Sequence, residues 1–229
     1  MTGSGVSAES GIPTFREAQT GLWERYDPQE LATPEAFVRN PRLVWEWYEW
    51  RRHLVAEAEP NPGHWALAEL GRRIPGFTLV TQNVDSLHGR AGSRNVIELH
   101  GNILRSKCSV EGEVVQPEEH DDSVPPRCTR CGAFLRPDVV WFGEMLPFKA
   151  LEAASEAAHE CDLFLSIGTS SLVYPAAALS HEALENDAVL VEINPEETPL
   201  SRHADYSVRG PAGEALPNLL HEALGSPSD

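Results

Sequence analysis

The chain has 229 residues, with 18 Lys and Arg against 35 Asp and Glu and a formal net charge of -17. That length suits one large domain, or one domain with a small insert. The acidic balance argues against a nucleic-acid partner, which rewards clustered Lys and Arg. It fits a basic partner such as a lysine-bearing peptide, or solubility alone. No apolar run approaches the ~20 residues of a membrane span. Met1–Gly5 carries neither the basic nor the apolar region of a signal peptide, so the expected compartment is the cytoplasm, without a membrane partner.

In chain order, residues 1–26 read as Gly/Ser-rich and then loop-like. Thr33 is a candidate N-cap for a helix opened by Pro34-Glu35, and Pro41 opens another that carries Val44, Trp47, Tyr48 and Trp50. A short helix is predicted over 62–73, stopped before Pro75-Gly76. The grammar then changes to short apolar, β-branched runs. Strands are predicted at 77–81, 95–99, 162–167, 188–193 and 206–208, with helices at 149–160, 175–186 and 213–224. Continuous apolar strands alternating with helices indicate an α/β fold whose parallel sheet is covered on both faces. Residues 105–137, rich in Cys, Pro and acidic runs, interrupt this alternation as an inserted module.

Gly3-Ser4-Gly5-Val6-Ser7-Ala8 fits G-x-G-x-x-G/A, a loop whose backbone N–H groups approach a pyrophosphate where a strand ends. Only Met1 and Thr2 precede it, too few for the strand that normally feeds such a loop. The string continues to Glu9-Ser-Gly-Ile-Pro-Thr-Phe15-Arg16. Further on come Gly21-Leu22-Trp23, Gln82-Asn83-Val84-Asp85, Glu98-Leu99-His100-Gly101, Phe142-Gly143-Glu144, Gly168-Thr169-Ser170 and Ile193-Asn194. These motifs, in this order, resemble those of the sirtuins, the NAD-dependent protein lysine deacylases.

The resemblance implies a Rossmann-like NAD-binding domain of residues 1–27, 74–104 and 138–229. It implies a smaller domain from a helical insert at 28–73 and a zinc-ribbon-like module at 105–137. The first strand and an earlier helix of the family pattern are missing, and the expectation is that the native protein is longer at this end. The implied chemistry is transfer of an acyl group from lysine to the ADP-ribose of NAD, releasing nicotinamide. His100 matches the general base; the other eight histidines have no such context. Asn83 matches a catalytic position in the nicotinamide and ribose pocket. Gly3, Ser4, Gly5, Ser7, Ala8, Gln82, Val84, Asp85, Gly168, Thr169, Ser170, Asn194, Pro195, Glu196 and Ala212 match NAD-binding positions. Phe15 and Arg16 match the loop that covers the cofactor. Phe142 and Gly143, with Leu172-Val173, match strands that dock acylated lysine peptides.

Tyr48 and Arg51 lie three positions apart on a predicted helix and share a face. They resemble the pair in sirtuins that remove succinyl and malonyl groups. A guanidinium binds a terminal carboxylate bidentately, and a tyrosine hydroxyl adds a third donor. The alternative is an Arg and a Tyr lying along a helix surface. Family zinc takes four cysteines in two C-x-x-C knuckles. Here Cys128-Thr-Arg-Cys131 is intact, but Cys108-Ser-Val-Glu111 ends in glutamate, and Cys161 lies elsewhere as a small buried residue. Three readings stay open: zinc on Cys108, Cys128, Cys131 and Glu111; zinc with His120 as fourth ligand; or no metal. ADP-ribosyl transfer and a non-catalytic NAD or ADP-ribose binding module are the competing functions.

Overall fold

The computed structural model describes residues 1–13, 27–116 and 123–225. Among them a parallel sheet is built from β1 (Val80–Thr81), β2 (Ile97–Glu98), β6 (Leu163–Ile167), β7 (Val189–Ile193) and β8 (Tyr206–Val208). β2 pairs with β1, and β7 lies between β6 and β8. Thr2 forms parallel bridges to both Thr81 and Ile167, so Met1–Thr2 join the two halves. The chain thus leaves the central position in opposite directions, which defines the switch point where α/β sheets bind ligands.

Alternation along the strands covers both faces. Val80, Phe164 and Leu190 point into one core with α7 (Phe148–Glu160) and α8 (Leu179–Glu185). Leu79, Ile167 and Ile193 point into another with α5 (Pro62–Arg73) and α9 (Ala212–Leu224). The period-two side-chain pattern of strands makes this division. α5 lies inside the 28–73 segment yet packs on the sheet beside α9, through Ala66, Leu67, Ala215 and Leu216. The predicted strands at 77–81 and 95–99 shorten to two residues each; Asn95 takes φ 53°, which breaks extended backbone at the start of the second. Within the Gly/Ser-rich start predicted as loop-like, the chain turns after Thr2 into α1 (Ser4–Ala8).

A second layer holds α2 (Pro28–Leu31), α3 (Pro34–Arg39) and α4 (Pro41–Glu57). Thr33 Oγ1 accepts from the Ala36 N–H at 3.1 Å, and Asn40 Oδ1 from the Leu43 N–H at 3.1 Å. Each such cap is worth about 1 kcal/mol. Phe37, Val44, Trp47 and Tyr48 pack with Ile103, Val139 and Trp141. Ile103 belongs to β3 (Gly101–Cys108), which pairs antiparallel with β4 (Val114–Val115) and β5 (Leu135–Val139). No helix among the described residues is long and apolar enough to cross a membrane.

β3 begins beside His100 at Gly101, with φ 79° and only 2.1 Å between a built Cβ and the Asp138 carbonyl oxygen. Both conditions demand glycine. Gly101→Ala is expected to cost about 3 kcal/mol or more from backbone strain and clash. Urea denaturation of the two proteins checks it; a change under 1 kcal/mol would show that the junction yields.

Candidate active site

The carboxyl ends of β1, β6 and β7 open into a cleft of about 640 Å³, inside the range for small-molecule sites. Gly3, the N-cap of α1, lines it with Ser4, Gly5 and Ser7 of that helix, Gln82–Asp85 from the β1 end, and Gly168–Ser170 from the β6 end. Asn194 and Glu196 line it from the β7 end, and His100 lies among them. Gly168 lets the two loops meet: its φ is 58°, and a built Cβ would fall 2.6 Å from the Val6 nitrogen. Gln82 Nε2 donates to Thr169 Oγ1 at 3.0 Å, and Asn194 Nδ2 to the Thr169 carbonyl at 2.9 Å, tying the strand ends together.

His100 is half-buried, and its Nδ1 lies 2.9 Å from the Gln82 carbonyl oxygen. A carbonyl only accepts, so Nδ1 carries the proton and Nε2 keeps a lone pair. Burial lowers the imidazole pKa below its ordinary value, against the opposing pull of that carbonyl. Asn83 donates through Nδ2 to the Gly3 carbonyl at 3.0 Å and to Ser7 Oγ at 3.1 Å. Ser7 Oγ donates to Asp85 Oδ2 at 2.7 Å, and Asp85 Oδ1 accepts from the Leu87 N–H at 2.9 Å. Burial raises the Asp85 pKa, while those two donors and Arg51 oppose the rise.

The other wall carries Tyr48 and Arg51 from α4, which the sequence placed on one helix face. The Arg51 guanidinium lies 5.0 Å from the centroid of Trp47 and 5.7 Å from that of Tyr48. Burial lowers the Arg51 pKa and raises that of Tyr48. Phe142, Gly143, Leu172 and Val173 line the same cleft.

Some expected residues stand apart. Ala8 and Pro195 are exposed, and Ala212 is buried beneath α5; these three do not line the cleft. Phe15, Arg16, the Gly21-Leu22-Trp23 motif and His120 lie outside the described residues. Other residues went unnoticed in the sequence. Trp141 lines the cleft and bonds Tyr48; its only signal was its place before Phe142. His64 supports Ser7 from α5, with Nε2 3.4 Å from Ser7 Oγ and Nδ1 accepting from the Asn61 N–H. Burial lowers its pKa to about 4.

The inserted module ends in two turns. Cys108 closes β3, and Cys128–Gly132 forms a second turn, with the Gly132 N–H donating to the Cys128 carbonyl. Ligand atoms of Cys108, Glu111, Cys128 and Cys131 lie within 4.8 Å of one another, and the Cys108 and Cys131 sulfurs are 3.4 Å apart. Tetrahedral zinc with Zn–S of about 2.3 Å separates its ligands by roughly 3.8 Å, so the four residues fit such an ion. Arg130 Nη2 holds Glu111 Oε2 at 3.0 Å.

Residues 3–175 match the model of the Sir2 family. The chain is 52% identical to an NAD-dependent protein deacylase of Aquifex aeolicus, over 99% of this chain and 96% of that protein. It is 54% identical to one of Methylococcus capsulatus, over 96% of this chain and 89% of that protein. A solved Sir2 homologue–NAD complex is 49% identical with a TM-score of 0.88, covering 96% of this chain and 86% of that one. A Sir2 protein bound to an acetylated peptide is 31% identical with a TM-score of 0.86, covering 98% and 92%. The chain belongs to the Sir2 family.

Proposed function

We propose that this chain, an NAD-dependent protein deacylase of the Sir2 family, removes succinyl and malonyl groups from protein lysines in preference to acetyl groups. The observation that carries the preference is the placement of Tyr48 and Arg51 on the cleft that also holds His100. A terminal carboxylate takes a charge-assisted bond from the guanidinium, which a neutral acetyl group does not offer. Stacking on Trp47 limits the guanidinium's freedom, so less entropy is lost on binding.

NAD held in this cleft would supply the acyl acceptor, a ribose that exchanges nicotinamide for the acyl oxygen, with water completing the release of free lysine. The donor set of the cleft fits such a ligand. Gly3–Ser7 present the loop backbone, and Asn83 Oδ1, without a hydrogen bond among the described residues, accepts from an amide. Asp85, held by Ser7 and the Leu87 N–H, faces the same space with a carboxylate that suits hydroxyl groups. His100 Nε2 takes the proton from a ribose hydroxyl, and the Gln82 carbonyl stabilises the resulting imidazolium through Nδ1. Phe142, Gly143 and Leu172-Val173 offer the cleft edges between which an extended acyl-lysine peptide lies. Zinc on Cys108, Cys128, Cys131 and Glu111 is structural in this reading and takes no part in the reaction.

Arg51→Met keeps the length of the side chain and removes the charge. It is expected to lower kcat/KM on a succinyl peptide 10–100-fold, the worth of a charged hydrogen bond. Deacetylation should stay within about twofold. Paired assays on succinyl and acetyl versions of one peptide test this, and equal losses on both would overturn the preference.

A further inference from the structure

The Tyr48 hydroxyl is not an isolated group. Trp141 Nε1–H donates to it at 2.9 Å, and the two side chains are 2% and 1% exposed. A phenol has one proton to give. With a lone pair taken by the indole, that proton finds no acceptor among the described residues, although both residues line the cleft. The indole thus leaves Tyr48 as a donor available to whatever fills the cleft.

Trp141 is itself fixed from several sides. The Arg136 guanidinium lies 3.3 Å from its ring centroid and donates to both oxygens of Glu144, at 2.5 and 2.9 Å. Glu144 Oε2 also accepts from the Trp141 N–H at 2.8 Å, and Phe37 packs against the ring at a centroid distance of 5.4 Å. Arg136 belongs to β5, so the chain of contacts runs from the Cys-bearing module through Trp141 to Tyr48 on α4.

We propose that Trp141 is a positioning residue for acyl selectivity: its indole N–H orients the Tyr48 hydroxyl to donate to the terminal carboxylate of a succinyl or malonyl lysine. This inference rests on the acidic-acyl reading above. A phenylalanine at this position would keep a ring against Phe37 and Arg136 and delete the donor. The Tyr48 hydroxyl would then rotate freely, and a buried oxygen would lose its partner.

The experiment compares wild type, Trp141→Phe, Tyr48→Phe and the double variant on succinyl and acetyl versions of one peptide. Trp141→Phe is expected to raise KM for the succinyl peptide about 5–10-fold, with kcat for both peptides and KM for the acetyl peptide within about twofold. The double variant should be no worse on the succinyl peptide than Tyr48→Phe alone, because the indole acts only through that hydroxyl. Equal losses on both peptides, or full additivity in the double variant, would reduce Trp141 to packing and overturn the proposal. If Trp141→Phe does not fold, Glu144→Gln loosens the Arg136 clamp with every ring retained. It should raise the succinyl KM selectively, and an unselective change overturns the proposal again. A wild type without a succinyl preference defeats the acidic-acyl reading, and this proposal with it. A wild type that has the preference, with a silent Trp141→Phe, defeats this proposal alone.

Discussion

His100→Asn is expected to lower kcat for every acyl peptide about a thousandfold, within the 10²–10⁴ range of general-base catalysis. Asparagine keeps a donor for the Gln82 carbonyl, the contact that His100 Nδ1 makes at 2.9 Å. What it lacks is the basic Nε2. NAD affinity, measured by calorimetry, should stay within a few-fold, since the loop contacts of Gly3–Ser7 and Gly168–Ser170 are untouched. The pH profile carries an independent check. The base works in its neutral form, and burial lowers its pKa below the ordinary imidazole value. Activity should therefore be full at neutral pH and fall only as pH drops through a value below about 6.5. The variant's residual rate should lose that acid limb. A variant with near-normal kcat, or one that keeps the same acid limb, would remove His100 from the base role.

The site was more legible in the sequence than the fold around it, for a physical reason. Binding residues of a parallel sheet cluster where strands end, and their types are set by ligand chemistry rather than by packing. Gln82–Asp85, His100 and Gly168–Ser170 were singled out by their resemblance to family motifs at the ends of apolar runs, and they do meet in one cleft. Helical spacing put Tyr48 and Arg51 on one face, but only the family resemblance singled them out as a pair. The strands β6 and β7 were legible because their alternating faces are both covered by apolar residues. β1 and β2 lie inside the strands predicted at 77–81 and 95–99, but each is only two residues long, an extent that apolar composition does not fix. The Trp141–Tyr48 bond joins residues 93 positions apart and depends on how α4 crosses β5, which no local pattern encodes. Ala212 was matched to a cofactor position by the resemblance alone, and its side chain also fills the contact between α5 and α9.

Cys128→Ser is expected to lower Tm by about 10 °C and to abolish one equivalent of bound zinc. Cys108, Cys128, Cys131 and Glu111 bring their ligand atoms within 4.8 Å, so a bound ion would draw together turns that have few apolar contacts of their own among the described residues. Among the described residues, Trp45, Val115 and Leu135 join Cys108 and Cys128 in the buried cluster there, with Ala133 at its edge. Losing a ligand worth about 3 kcal/mol gives a Tm shift of that size at 2–4 °C per kcal/mol. Glu111 would make the site distinctive, because a carboxylate stands in for a thiolate, and Arg130 Nη2 lies 3.0 Å from Glu111 Oε2. Glu111→Cys should therefore bind zinc more tightly in a competition with a chelator, and Glu111→Ala more weakly. The catalytic end should be less affected than the module. Cys108 pairs with Leu135 at one end of β3, whereas Gly101 pairs with Val139 at the other, next to His100. Chelation should accordingly raise the peptide KM before it changes NAD affinity. Metal analysis of chelator-free protein decides the matter: a stoichiometry near zero, with Cys128→Ser melting like the wild type, would leave the module held by packing alone.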